Sequence, residues 1–534
     1  MKFSVLPFVL LVLTMLCISQ QVQTARILAL VPTPSYSHQI PYRRLWLELH
    51  ERGHEIVLLT SNPIPNMDPK TFQQIDVGKG YNTIREIDFM QLRFDGIDFW
   101  NFFERYMFKM SDAWTEHVLN HRDMKPIYAP DSNQKFDVVM VEMLMIPATY
   151  AFAHRFDAPL IGLSTLGLCS LNEHALGGLI LPSHESTWEM EANVGTNQPF
   201  WKRLRNYLKL WRFLYSLYRD LFPRQQKLAE HYFGPLPPLL DILKNTSVVF
   251  VNQADAITPA RPKLANMITF TSFQVEENPS PLPAVCLHID LKRFVDNATE
   301  GFIYFSLGSN VMSSSMPKET RQIFIDVFSK LPYKVVWKFE KDMPNKPENV
   351  FTGKWLPQQS ILAHPNIKLF MYQGGMQSSE EAVHFSIPLL GFPILADQDS
   401  QVLKMQNLGV AKYMDIVSIT REELEAAIRE IITNKEYKEK IIALKELVND
   451  NPYDLVKNLV WWVEYVIRYK GTPHLRSKLA HQPWYQRCDM DIVVFLTIVS
   501  VLFVSTMTSI IAKLAVRLYN YHHRISTPSK QKVR

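Results

Sequence analysis

The sequence predicts an α/β protein: two doubly wound domains facing each other across a cleft, followed by a single transmembrane helix. Three observations predict it. Apolar runs of strand length alternate with helical patterns in two separate series. A Pro-rich polar stretch, Glu276–Pro283, divides the series, and an uncharged run of 21 residues, Ile492–Ala512, lies near the C-terminus.

The first series opens with the apolar run Ile27–Val31, which breaks at Pro32-Thr33-Pro34 and leads through Ser35-Tyr36-Ser37 to His38. Leu45, Leu47 and Leu49 then fall among Arg43, Arg44, Glu48 and Glu51 in a helical pattern that stops at Gly53, and Glu55–Thr60 reads as a second buried strand. Strand, helix and strand in so short a span make a βαβ unit with parallel strands. Val138–Glu142, Leu160–Leu163 and Val248–Val251 continue the series. The second series runs through Gly301–Ser306, Lys334–Phe339, Ile367–Met371 and Leu389–Phe392, with one helix opened by the capping box Thr420-Arg421-Glu422-Glu423. The expected organisation is a leader over 1–25, one domain over 26–283, a second over 284–483, a span over 490–513 and a basic tail over 514–534.

The ends set the expected compartment. Residues 1–25 read as a secretory signal peptide, with Lys2 before the apolar stretch Val5–Ile18 and small residues at Thr24-Ala25. Ile492–Ala512 would be about 31 Å long as a helix at about 1.5 Å per residue, enough for a hydrocarbon core of about 30 Å. Trp484 and Tyr485 precede it as interface anchors, and Lys513, Arg517 and Arg524 follow it, so the positive-inside rule predicts a type I single-pass protein with its body in the lumen. Lysines 530 and 532 resemble a dilysine retrieval signal, which points to the endoplasmic reticulum membrane.

The chain carries 57 Lys+Arg against 52 Asp+Glu, a net charge of +5. Six basic residues and no acidic one lie between Lys513 and Arg534, and Lys2 lies in the leader. Removing these seven leaves 50 basic against 52 acidic, a net of −2 for the body. A nearly neutral body excludes a nucleic-acid-binding domain as the expectation. A hydrophobic fraction of 47% with 18 Gly excludes a disordered or fibrous chain. Outside the leader, Cys169, Cys286 and Cys488 are too few and too widely spaced for a disulfide framework or a metal cluster. Asn245-Thr246-Ser247 and Asn297-Ala298-Thr299 are glycosylation sequons that suit a luminal body.

Two stretches stand apart. Phe94–Trp114 is crowded with aromatic residues, and Trp201–Phe222 mixes Lys202, Arg203, Arg205, Lys209 and Arg212 with Trp211, Phe213, Tyr215 and Tyr218. A basic aromatic helix suits either a membrane surface or a cap over an apolar pocket.

The segment from Trp355 to Gln398 carries the most chemistry. The strand Ile367–Met371 feeds Gln373-Gly374-Gly375 and then a helix, whose free N–H groups and dipole favour an anion such as a phosphate. Gln377 and Ser378 add neutral donors, Glu381 lies one turn further on where it suits ribose hydroxyls, and Trp355 offers a flat face for a base. Asp397 and Gln398 suit sugar hydroxyls.

This ordered set, spread over 44 residues, resembles the signature of the UDP-glycosyltransferases, the UDP-glucuronosyltransferase family of animals, and its wording is most similar to the insect branch. The resemblance extends from the leader through Gly301–Ser309 to the basic tail. It implies a GT-B fold, two Rossmann-like domains facing a cleft, and an inverting transfer without an obligatory metal. By resemblance Trp355 stacks on uracil, Gln358 and Glu381 hold the nucleoside, Ser309, Gln373, Gly375 and Ser378 hold the diphosphate, and Asp397 and Gln398 contact the transferred sugar. Many relatives carry His where Gln373 stands. His38 occupies the position of the catalytic histidine, able to take the acceptor hydroxyl's proton. Glu142, after Phe136-Asp137-Val138-Val139, stands where the family has an orienting Asp.

Two departures bear on mechanism. Phe270-Thr271-Ser272-Phe273-Gln274 replaces a Gly-Gly element before the linker, so domain closure is expected to differ. Glucuronate users tend to carry an arginine at a position that counts back to Asn252, and its absence favours UDP-glucose over UDP-glucuronate as donor. The expectation is therefore a UDP-dependent hexosyltransferase acting on small lipophilic acceptors, for detoxification or clearance. A membrane-tethered binding protein on the same scaffold and a transferase for lipid acceptors remain alternatives, and a homo-oligomer stays open.

Overall fold

The computed structural model describes residues 24–181, 188–189, 198–280 and 286–526. Most of the leader and the dilysine tail lie outside them. Thirteen strands among these residues form two all-parallel sheets. The first holds β1 (Arg26–Val31), β2 (Glu55–Thr60), β3 (Phe72–Asp76), β4 (Val138–Glu142), β5 (Leu160–Ser164), β6 (Val248–Asn252) and β7 (Met267–Phe270), in the order β3-β2-β1-β4-β5-β6-β7. The second holds β8 (Phe302–Ser306), β9 (Lys334–Lys338), β10 (Val350–Gly353), β11 (Ile367–Tyr372), β12 (Leu389–Gly391) and β13 (Ala411–Tyr413), in the order β10-β9-β8-β11-β12-β13.

The interior strands are apolar because helices cover both faces. Leu28 and Leu30 of β1 pack in one cluster and Ile27 and Ala29 in another, so alternate side chains serve opposite faces of the sheet. The second sheet divides likewise: Ile303 and Phe305 fall on one side of β8, Phe302 and Tyr304 on the other. Chain order reverses between β1 and β4 in the first sheet and between β8 and β11 in the second. Such switch points open a crevice at the carboxyl ends of the strands.

The capping box forms as the sequence predicts. Thr420 Oγ1 accepts the Glu423 N–H at 3.2 Å, and the Glu423 carboxylate accepts the Thr420 N–H at 3.2 Å, opening the helix Arg421–Thr433.

One connection departs from a simple division at the linker. After the second sheet the helix Leu455–Arg468 returns to the first, where Leu459, Val460, Val463 and Val466 are buried with Ile27, Leu45, Val138 and Phe270. Asp454 starts this helix by accepting the N–H groups of Val456 and Lys457 at 2.9 and 3.0 Å. At about 1.5–3 kcal/mol for each fully buried Val or Leu side chain, four of them hold the return firmly. Residues 455–477 therefore pack with the first sheet, although the linker reading groups them with the second.

The aromatic stretch folds into helices, including Phe108–Leu119, and the basic aromatic stretch into the helix Phe200–Ser216. Phe213 of the latter meets Trp100 and Phe103 with ring centroids 4.6 and 4.9 Å apart. Phe200, Trp201, Leu208 and Tyr215 are exposed on its other side.

Residues 478–526 belong to a second compact unit. Its main element is the 37-residue helix Met490–Ser526, the one helix among the described residues long and apolar enough to cross a membrane. The helix runs past Ala512 because Lys513, Leu514, Ala515 and Arg517 are good helix formers and no Pro or Gly stops it.

Candidate active site

The loop after β1 is held by a buried glutamine. Gln39 Nε2 donates to Val31 O and Thr33 O at 2.9 and 2.8 Å, and its Oε1 accepts the Thr60 hydroxyl at 2.7 Å. This fixes the turn Tyr36–Gln39 and with it His38. Because β1 and β4 pair in parallel register, with Leu30 opposite Val141, Glu142 emerges beside the start of that loop. His38 Nδ1 lies 2.6 Å from Glu142 Oε1 and 3.0 Å from Thr165 Oγ1. Glu142 is 3% exposed, and its second oxygen accepts the Thr33 N–H at 3.3 Å. At that distance the carboxylate accepts a hydrogen bond from Nδ1–H, which leaves Nε2 as the imidazole's basic nitrogen. His38 lines a cavity of about 1120 Å³ between the carboxyl ends of the two sheets.

The opposite wall comes from the second sheet. The helix Met376–His384 begins at Gly375, which has extended backbone and no side chain capping the first turn, so the N–H groups there are open to an anion. Gly374 has φ of +95°, and a Cβ on it would lie 2.6 Å from Val402 Cγ2 and 2.7 Å from Gln398 O. Gly308 has φ of +80°, and a Cβ there would collide with the Gln373 amide. The loops after β8 and β11 thus touch, and Ser309 and Ser378 line the cavity beside Gln373 and Gly375.

Gln358 donates to Glu381 Oε2 at 2.6 Å and to Ser378 Oγ at 3.0 Å. Gln359 donates to Glu381 Oε1 at 3.1 Å. Despite these donors, burial pushes the Glu381 carboxyl up to about 7. Trp355 is 56% exposed on the cavity wall, with the Tyr36 ring edge-on at 5.5 Å. Gln398 Oε1 accepts the N–H groups of Ile394 and Leu395 at 2.9 and 3.0 Å, pinning the loop that carries Asp397. Burial pushes Asp397 up to about 6, opposed by its own backbone N–H and by His38 across the cleft. Gln373 Oε1 and Asp397 Oδ2 are buried acceptors without a hydrogen-bond partner in the structure. Both sit in the cavity wall, and such orphaned atoms fit a hydroxyl-rich ligand.

All twelve residues singled out in the sequence therefore line this cavity or, for Glu142, support one that does. One is used differently from its expectation. The Gln377 amide donates to Thr165 O at 3.2 Å, bridging to the first half in place of facing the cavity as a free donor. Asn252 does not line the cavity. With its amide nitrogen turned to its acceptors it donates to Phe270 O at 3.1 Å and Glu380 Oε1 at 2.8 Å. Glu380 also accepts from Thr271 Oγ1 and Gln274 Nε2, each at 2.7 Å. The segment expected to alter domain closure is thus tied to the nucleotide-side helix. Sequence reasoning missed Thr165, Tyr36 and Gln359. A threonine after a buried strand and a glutamine beside Gln358 carry no distinctive spacing.

Residues 27–526 match the family described as UDP-glucoronosyl and UDP-glucosyl transferase. The chain belongs to that family. Among curated relatives, this UDP-glycosyltransferase is 32% identical over 491 residues to UDP-glucosyltransferase 2 of Dactylopius coccus, covering 89% of this chain and 90% of that protein. It is 28% identical to an ecdysteroid UDP-glucosyltransferase of Spodoptera littoralis nuclear polyhedrosis virus, covering 89% and 95%. It is 26% identical to UDP-glucuronosyltransferase 2B33 of Macaca mulatta, covering 88% and 89%. Its fold is that of GT-B glycosyltransferases. The glycosyltransferase of kitacinnamycin superposes with a TM-score of 0.55 at 16% identity, covering 83% of this chain and all of that one. The glycosyltransferase VinC, solved with dTDP, gives 0.54 at 14% identity, covering 84% and 100%. Transfer of a sugar from a UDP-sugar to an acceptor is the activity of the family. The apolar C-terminal helix is consistent with membrane anchoring.

Proposed function

We propose that this UDP-glycosyltransferase moves glucose from UDP-glucose to hydroxyl groups of small lipophilic acceptors, with inversion at the anomeric carbon, as a luminal enzyme of the endoplasmic reticulum membrane serving detoxification or clearance. The observation that carries this reading is the His38–Glu142 pair at 2.6 Å on one wall of a cavity whose other wall is an uncapped helix start.

His38 Nε2 takes the acceptor's hydroxyl proton as its oxygen bonds to the anomeric carbon, while the bond from that carbon to the diphosphate oxygen breaks and UDP leaves with the electron pair. Glu142 holds the imidazole and stabilises the imidazolium that forms. The N–H groups after Gly375, with Ser309, Gln373 and Ser378, receive the charge developing on the diphosphate. Trp355 stacks on uracil, Gln358 and Glu381 hold the nucleoside, and Asp397 and Gln398 hold the sugar. Phe102, Phe103, Met107, Met110 and Trp114 line the acceptor side and suit an apolar molecule.

Glucose is favoured over glucuronate because Asp397, which would face the sugar, is a buried carboxyl whose Oδ2 has no hydrogen-bond partner. A second carboxylate beside a buried carboxyl would be repelled. Asn252 does not reach the donor, because its side chain lies off the cavity against Phe270 and Glu380. The test is a microsomal assay of the full chain with UDP-glucose and UDP-glucuronate against a panel of phenols, read by mass spectrometry. Glucosides should form in at least tenfold excess over glucuronides; predominant glucuronides would overturn the donor assignment.

A further inference from the structure

We propose that Arg93 is a positioning residue for the donor sugar, fixing Asp397 and Gln398 from the acceptor half of the molecule. The proposal rests on the reading that these two residues hold the sugar.

Arg93 lies in the helix Phe89–Phe94, which follows β3 in the chain yet docks on the second half. Its guanidinium reaches four acceptor positions there. Nη1 donates to Asp399 Oδ2 at 3.1 Å, and Nη2 lies 3.4 Å from Asp399 Oδ1, 3.2 Å from the Tyr413 hydroxyl and 3.2 Å from Asp415 Oδ1. Tyr413 in turn donates to Asp399 Oδ1 at 2.8 Å. A planar fork with charge on two carboxylates sets direction as well as distance.

Asp399 is the second residue of the helix Gln398–Asn407, with Asp397 immediately before it. The loop entering that helix holds Ala396 at φ of +60°, a conformation a residue with a Cβ adopts at a cost. The Gln398 side chain holds the loop from within, through the N–H groups of Ile394 and Leu395. Arg93 holds the helix start from outside, and from the other half. The docking helix is itself well seated. Met90 is 1% exposed and packs with Phe305, Phe392, Ile394 and Ile416 of the second half. Phe89 packs with that same cluster and also lines the cavity, with its ring 6.0 Å from that of Phe102 on the acceptor side. One six-residue helix therefore touches the acceptor wall through Phe89 and the sugar-bearing helix through Arg93.

The consequence is specific to the sugar. UDP alone meets Trp355, Gln358, Glu381 and the uncapped helix start, none of which Arg93 touches. UDP-glucose also needs Asp397 and Gln398 in register. Removing the guanidinium should weaken UDP-glucose and leave UDP unchanged.

The experiment uses the full-length protein in detergent, with Arg93→Met, which keeps the stem and removes the charge, and Arg93→Lys, which keeps the charge without the fork. Dissociation constants for UDP and for UDP-glucose are measured by calorimetry, and kcat and KM for a phenolic acceptor in parallel. For Arg93→Met the UDP-glucose constant should rise about tenfold with kcat falling as much, the UDP constant should stay within twofold, and Arg93→Lys should recover part of both. Should Arg93→Met fail to fold, Asp399→Asn tests the same contact from the other side with the same expected split. Equal weakening of UDP and UDP-glucose would overturn the proposal in favour of a merely structural contact, and so would no change in either. The binding split does not need turnover, so an inactive parent would count against the functional reading and leave this measurement standing.

Discussion

His38 Nδ1 and Glu142 Oε1 lie 2.6 Å apart, although the glutamate is one methylene longer than the aspartate expected there. The extra reach is absorbed because Glu142 ends β4 directly beside the loop that carries His38, with Thr33 N–H on the second carboxylate oxygen. Glu142→Gln keeps the shape and removes the charge that stabilises the imidazolium. Its kcat should fall about a hundredfold, within the range of about 10²–10⁴ typical of general-base catalysis. The UDP dissociation constant, read by calorimetry, should stay within twofold. Unchanged kcat would show that Glu142 only ends the strand.

Asp397 should limit stability as well as serve the reaction. Its folded-state carboxyl titrates near 6, above the ordinary 3.8, because it is buried. Below about pH 4 the group is protonated folded or unfolded and costs nothing. Between about 4 and 6 stability falls as pH rises, and above 6 the full cost remains. Asp397→Asn removes a penalty on the order of 3 kcal/mol at most, taking about 1.4 kcal/mol per pH unit. The variant should therefore unfold at a higher temperature than the parent at pH 7, lose that advantage by pH 4, and be inactive. Thermal unfolding across that range measures it.

Gly374 tolerates no side chain. Its φ of +95° and the 2.6 Å approach of Val402 to a Cβ act together. Gly374→Ala should destabilise the second half by about 2 kcal/mol or more, and weaken UDP binding, because the uncapped helix start moves with the turn. A urea titration followed by tryptophan fluorescence checks the first effect, and calorimetry the second.

Gln377 should matter to turnover more than to nucleotide affinity. Its amide bridges to Thr165 O, and Thr165 Oγ1 is 3.0 Å from His38 Nδ1. Gln377→Met should leave the UDP dissociation constant within twofold and lower kcat several-fold. A tenfold loss of UDP affinity would return Gln377 to the diphosphate.

The interior of both sheets was legible in the sequence, and the edges were not. β3, β7, β10 and β13 are the four edge strands, and all four lack the unbroken apolar run that marks a strand covered on both faces. In β3, Gln73 and Gln74 are only partly buried, so the sequence there reads as polar. The second-half nucleotide wall was legible because its residues are close in sequence. The first-half contributions are scattered: Thr165 and Arg93 acquire their roles from parallel register and from a helix that crosses to the other half, and a single sequence carries neither. The return of Leu455–Arg468 to the first sheet was hidden for the same reason, since its apolar face suits either core.

Removal of the acceptor's proton by His38 is tested by comparing glucoside formation by His38→Ala with that of the parent, as full-length proteins at saturating UDP-glucose. Turnover should fall by about a thousandfold, within the range of about 10²–10⁴ for loss of a general base, while the UDP dissociation constant stays within twofold. Turnover within twofold of the parent would rule out His38 as the base.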